Sequence, residues 1–354
     1  MAGEPKAKVI PLHATPGRSG AQRRSPLRAD GSRRHPSLLT DPDDRASAED
    51  IAAVVREIDA RRTAVGAPEA APEPNELAKW VSGASAFFRR RLTGEYKVDD
   101  FGFDPHFNDA VLMPMLRTLF TGWFRVEVSG VENLPDTGAA LVVANHAGVL
   151  PFDGLMASVA VHDKHPEHRT LRILAADMLF DTPLLGQVAR RAGHTLACTT
   201  DAHRLLSGGE LTAVFPEGYK GLGKQFRDRY KLQRFGRGGF VSAALRTKAP
   251  IIPCSIVGSE EIYPKIGDVR LLARLLGLPY FPVTPLWPLA GPLGMVPLPS
   301  KWYIEFGEPI STADFDDSAP EDPMVTFELT DQVRETIQQT LYRLLASRRN
   351  TFLG

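Results

Sequence analysis

The chain has 354 residues, with 42 Lys or Arg against 42 Asp or Glu and 43% hydrophobic residues. That balance excludes a collagen-like or wholly disordered chain, and the zero net charge singles out no charged partner. The two cysteines, Cys198 and Cys254, each lie in an apolar run that reads as a strand. They make neither a disulfide framework nor a metal motif, as expected in a reducing cytoplasm.

Residues 1–40 carry Lys6, Lys8, Arg18, Arg23, Arg24, Arg28, Arg33 and Arg34 against Glu4 and Asp30. With many Pro, Ser and Gly and few apolar residues, 1–45 is expected to be a disordered basic tail. It lacks the apolar core of a secretion signal. A helical region is expected over 46–110. A first helix runs from Ser47 to Arg62, a Pro-rich linker covers 66–75, and a second helix runs from Glu76 to about Leu92.

Strand-like runs follow at 125–130, 139–144, 171–176, 195–199, 211–215, 251–257 and 301–306, with helix-like runs at 151–161, 183–192, 201–207 and 238–247. This alternation predicts an α/β fold with a mostly parallel central sheet flanked by helices, forming one domain over 111–315. A last helix within 316–354 begins with Asp322 as N-cap and Pro323 at its first position. Its stripe Val325, Leu329, Val333, Ile337, Leu341 and Leu345 is expected to pack on the domain.

Two apolar segments point to a membrane surface. Residues 111–124 are too short to span a bilayer but long enough to lie along one, with Trp123 and Phe124 at interfacial depth. Together with the upstream helices they are read as membrane-docking. Residues 271–299 hold seven prolines, which forbid a regular helix, and are read as an irregular insertion that lines an acyl groove or dips into lipid. No stretch of 18 apolar residues is present, so no transmembrane helix is expected.

The chemistry centres on two strand ends. The apolar run 139–144 leads into Asn145, His146, Ala147 and Gly148, and Pro151 opens a helix with Asp153 in its first turn. An imidazole at the carboxyl end of a strand lies where open α/β sheets keep their crevice. A carboxylate seven residues on can orient it as a general base. The run 211–214 leads into Phe215, Pro216, Glu217, Gly218, Tyr219 and Lys220, and Lys224, Arg227, Arg229 and Lys231 come next. These five cations can gather a phosphate or the diphosphate of coenzyme A. His162, His165 and His168 lack the further ligands of a zinc set, and no GxSxG supplies a serine nucleophile.

An NH…D strand end followed about 70 residues later by a strand and FPEG resembles the lysophospholipid (glycerolipid) acyltransferase family, whose members include 1-acylglycerol-3-phosphate acyltransferases. Two blocks agree in order. Phe180 to Gly186 resembles the segment between the motifs, and Ile251, Ile252, Pro253 and Cys254 resembles the strand after them. The commonest family motif sets Asp five residues after His. The spacing of seven is closer to the branch that includes acylglycerol acyltransferases. Lys220 stands where phosphate-binding members usually carry Arg, and it cannot make the bidentate contact.

The resemblance implies an acyltransferase that moves a fatty acyl group from acyl-CoA or acyl-ACP to a lipid hydroxyl such as lysophosphatidate. His146 and Asp153 are then catalytic, and Asn145, Gly148, Phe215, Pro216, Glu217, Gly218, Lys220 and Lys224 bind substrate. No metal or cofactor is expected, and the transition-state oxyanion is assigned to donors near the 146–148 turn. The expected partners are the lipid acceptor, the acyl thioester, the membrane surface and an acyl carrier protein as alternative donor, with no nucleic acid. The expected place is the cytoplasm, peripheral on the inner face of the membrane. A neutral acylglycerol or specialised lipid alcohol as acceptor, or a silent lipid-binding protein of the same fold, are the competing readings.

Overall fold

A computed structural model describes residues 97–352 apart from Pro183 and Arg237, together with Ser82, Ser85 and Arg89, all within the unit Pro72–Gly354. The basic tail, the first helix, the linker and all of the second helix but Ser82, Ser85 and Arg89 lie outside the described residues. Those three are helical.

A helical run, α1, covers 105–123 and alternates α and π turns. Asp104 caps it by accepting a hydrogen bond from the Phe107 amide, and Pro105 opens it. There follow β1 (Glu127–Ser129), β2 (Ala140–Ala144), α2 (Phe152–Lys164), β3 (Arg172–Ala175), α3 (Asp177–Asp181), α4 (Leu185–Arg191) and β4 (Thr195–Leu196). Next come α5 (Thr199–Ser207), β5 (Leu211–Val214), α6 (Tyr219–Leu222), α7 (Gly239–Thr247) and β6 (Ile251–Val257). The chain ends with β7 (Gly267–Asp268), α8 (Arg270–Leu275), β8 (Pro282–Val283), β9 (Tyr303–Phe306) and α9 (Pro323–Ser347).

Seven strands form one sheet in the order β1-β9-β6-β2-β5-β3-β4. All neighbours are parallel except β6 and β9, so the expected mostly parallel α/β sheet is present. Cys198 lies beyond β4, at the N-terminus of α5, and not in a strand as its apolar neighbours imply. The central strands have no polar face because both faces are covered. Ala140, Val142 and Ala144 pack with α1 and α2, while Leu141 and Val143 pack with α5, α7 and α9. Along α9, Leu329, Val333, Ile337 and Leu341 form the buried stripe, and the side chain of Asp322 accepts from the Met324 amide at its start.

Residues 111–124 correct the membrane-docking expectation. Leu112, Met113, Leu116 and Phe120 point into the core, and Phe124 is fully buried, stacked on Trp302 with ring centroids 4.7 Å apart. Their helical spacing places them on one face, and that face meets the sheet. Among the described residues, no helix is long and apolar enough to cross a membrane.

Candidate active site

Strands β3, β5, β2 and β6 run parallel, so their carboxyl ends share one edge of the sheet. His146 follows β2 there. Its Nδ1 lies 2.7 Å from Asp153 Oδ2, and the same oxygen accepts from the Ala147 amide at 2.8 Å. Asp153 Oδ1 accepts from the Gly154 amide at 2.8 Å. Asp153 is fully buried at the first turn of α2, where the helix dipole favours its charge. With a carboxylate at Nδ1, that nitrogen carries the hydrogen and Nε2 presents its lone pair. Nε2 has no hydrogen-bond partner among the described residues. The imidazole packs on Phe215, with ring centroids 4.6 Å apart, and its side chain keeps 12% of its exposure. With an apolar ring on one face and a buried carboxylate at one edge, Nε2 is the ring nitrogen left unengaged.

The turn between His146 and Asp153 is tight. Gly148 has φ +98°, and a Cβ there would sit 2.6 Å from the Ser259 carbonyl oxygen. Val149, a β-branched residue, has φ +66°. Such strain persists only where its surroundings impose it. Here the Val149 amide donates to Leu222 O at 3.2 Å, and Val149 O accepts from the Tyr280 hydroxyl at 2.6 Å.

Three residues expected to bind substrate are internal instead. Asn145 is fully buried. Its amide donates to Ile256 O at 2.9 Å and accepts from Ile256 N at 2.7 Å, extending the β2–β6 ladder past the end of β2. Glu217 is buried as well. One carboxylate oxygen accepts from the His146 amide at 2.9 Å and the other from the Gln233 amide at 2.6 Å. Lys224, with its side chain 3% exposed, lies 3.4 Å from Glu217 and 3.1 Å from Glu260. A buried lysine between two carboxylates is held by them and is not open to a phosphate. Sequence position alone aimed these side chains at the crevice, whereas their polar and charged groups demanded partners.

Gly148 and Phe215, also expected to bind substrate, are buried, whereas the other expected residues stay accessible to different degrees. Lys220 and Tyr219 are exposed, Pro216 and Gly218 are half-buried, and Gly218 lies at the N-terminus of α6. Of the other cations, Lys231 is exposed, Arg227 lies 3.6 Å from Asp228, and Arg229 covers the Phe226 ring. The oxyanion assignment narrows too. The amides of His146 and Ala147 are engaged by Glu217 and Asp153, which leaves Gly148 in that turn. The rings of His162 and His168 lie with centroids 6.0 Å apart. His162 reaches Asp109 and Asp163, whereas His165 faces Leu134 O. The carboxylates beside His162 raise its pKa.

Several structural residues escaped sequence reasoning. A Cβ at Gly221 would lie 2.4 Å from His146 O, so α6 can touch the His146 turn only through a glycine. Its place two residues after Tyr219 was the available signal. Glu260, beside Lys224, has its pKa pushed up to about 7 by burial, against the pull of the lysine. Tyr230 donates its amide to Glu260 Oε1 at 2.8 Å and its hydroxyl to Glu261, which Arg348 also grips at 3.0 Å.

A family model named Acyltransferase matches residues 125–257, the stretch that carries both motifs. The chain thus carries an acyltransferase domain over this stretch and is an enzyme of that class. It is 72% identical over 356 residues to an uncharacterised protein of Mycobacterium tuberculosis, covering all of this chain and 99% of that one. A Bos taurus protein named DGAT1/2-independent enzyme synthesizing storage lipids is 28% identical over 234 residues, covering 63% of this chain and 62% of its own. Among solved structures, the 1-acyl-sn-glycerophosphate acyltransferase PlsC of Thermotoga maritima aligns with a TM-score of 0.49 at 21% identity, over 76% of this chain and 91% of that one.

Proposed function

We propose that the protein transfers a fatty acyl group from a thioester, acyl-CoA or acyl-ACP, to a lipid hydroxyl, with His146 as general base. The observation that carries this reading is the 2.7 Å contact between His146 Nδ1 and the buried Asp153, with Nε2 left for substrate. Nε2 takes the proton of the acceptor hydroxyl as its oxygen attacks the thioester carbonyl. The tetrahedral oxyanion collapses, the C–S bond breaks, and the imidazolium returns the proton to the leaving thiolate. Asp153 fixes the tautomer and stabilises the imidazolium. Glu217 holds the His146 amide, and Gly221 lets α6 approach the His146 carbonyl closely. The scheme uses no covalent acyl-enzyme and no metal or cofactor. We place the enzyme on the inner face of the cytoplasmic membrane, because its acceptor is insoluble in water.

The acceptor itself divides two ways. Lysophosphatidate fits the exposed Lys220. A neutral acylglycerol is favoured by the pairing of Lys224 with two carboxylates, which removes one cation from the phosphate set. It also accords with the storage-lipid name of the Bos taurus relative.

The test is transfer of labelled acyl groups to a panel of phosphorylated and neutral acceptors. His146→Ala is expected to lower the rate by about 10³-fold or more with the fold intact. A folded variant that keeps its rate would sink the assignment, and the labelled product names the acceptor.

A further inference from the structure

From Val269 to Ser300 the sequence has no Asp, Glu or Lys, only Arg270 and Arg274. This stretch follows β6 and therefore leaves the sheet at the edge that holds His146. It is not core. Leu271, Leu275 and Leu289 are 80%, 79% and 90% exposed, and Leu276, Leu293 and Met295 are more than half exposed. The base is fixed by polar contacts. Tyr280 donates to Val149 O, Trp123 Nε1 donates to Pro297 O at 2.9 Å, and Lys265 donates to Gly223 O at 2.7 Å. The insertion is thus firmly rooted beside the catalytic turn, with its leucines pointing away from the domain.

Contiguous exposed leucines are costly in water and mark a surface that something apolar covers. What covers this one is indicated by its charge. Leu271 and Leu275 lie one turn apart on α8 beside Arg270 and Arg274, with no acid in the stretch to repel an anionic layer. Leucines with arginines at their margin match a bilayer interface, where the apolar side chains sink and the guanidinium groups meet anionic headgroups. Leu184 and Leu185, which follow β3 and α3 at the same edge, are exposed as well, and Leu150 is exposed in the catalytic turn.

We propose that residues 269–296 seat in the interfacial layer of an anionic lipid membrane and hold the His146 crevice against it. This rests on the lipid-acceptor reading above and names the surface through which such an acceptor would be reached.

The experiment is sedimentation of the full chain with phosphatidylcholine vesicles and with vesicles of phosphatidylcholine and phosphatidylglycerol. Wild type is expected to favour the mixed vesicles. The combined variant Leu271→Ser, Leu275→Ser and Leu289→Ser should lose affinity by about 100-fold, with an unchanged unfolding midpoint because these side chains are in solvent. Arg270→Gln with Arg274→Gln should abolish only the preference for phosphatidylglycerol. His146→Ala should sediment as wild type does. The proposal is overturned if wild type ignores both vesicles, or if the leucine variant sediments as wild type does. It is also overturned if gel filtration shows the leucine variant converting a dimer to monomers while vesicle affinity stays the same, which would make a second copy the occupant. Leucine-dependent vesicle binding by a protein with no acyl transfer would uphold the docking surface and refute the proposed reaction.

Discussion

Residues 111–124 and 269–296 are both rich in leucine, methionine and aromatic side chains, yet one is core and the other is solvent-facing. In the first, apolar residues recur at helical spacing, so Leu112, Leu116 and Phe120 share one face that the sheet and α2 cover. In the second, α8 is only six residues long, and the prolines that begin at Pro279 keep the rest out of a long helix. Without a long periodic face, its leucines cannot all be turned inward, and those at the tips remain outside. Apolar content therefore does not decide burial; the ability to align that content on one side does.

The sharpest way to break the comparison is truncation on the helical side. Phe120→Ala or Leu116→Ala should cost about 2–5 kcal/mol in urea unfolding, because each empties a filled core site. A loss under about 0.5 kcal/mol would mean that α1 is a detachable surface helix after all. Next in size is the buried foot beneath the His146 turn, where Lys224 lies between Glu217 and Glu260. Lys224→Met leaves Glu217 and Glu260 facing one another and should cost about 3 kcal/mol, and slow transfer as well because Glu217 holds the His146 amide. Unchanged stability and rate would show that the lysine is not needed there.

Acidity tests the same foot with a smaller effect. The folded-state pKa of Glu260, about 7, is above its unfolded value, so the protonated form favours folding. That contribution is complete below about pH 4.5 and is lost as pH rises through about 7. His194 works in the opposite sense. Burial, with Arg172 nearby, lowers its pKa to about 4, so its contribution is complete above about pH 6.5 and is lost as pH falls through 4. The quantity to measure is therefore the difference between wild type and Glu260→Gln, in which the His194 effect cancels. The variant should gain on wild type as pH rises from 5 to 8, and a constant difference would refute the assignment. The smallest effect is expected at the exposed tips. Leu289→Ser should shift stability by no more than about 0.5 kcal/mol, and a loss of about 2 kcal/mol would show that the insertion packs on the domain in solution.

Much of this architecture could be read from residue patterns. The largely apolar runs before Asn145 and Phe215 read as buried strands, and the placement of both motifs at the same sheet edge follows from parallel order. Asp153 was legible because it is local to His146. What escaped detection depends on long-range register. That Glu217 would point at the His146 amide follows from Val143 pairing with Val214, and that Lys224 would need Glu260 follows from β6 lying beside β2. Nothing in a one-dimensional pattern distinguishes a lysine that meets solvent from one that meets two carboxylates. Tyr280 was legible only as an aromatic residue in a Pro-rich stretch, with no hint of its contact.

That contact gives the longer His–Asp spacing a mechanical meaning. The extra residues between His146 and Asp153 bow outward as a strained loop, and the carbonyl at its crest is the point to which Tyr280 is tied. The hairpin that bears the leucines and the loop that bears the base are thus joined by a short strut. The leucine-bearing insertion is thereby anchored three residues from the imidazole, at Val149.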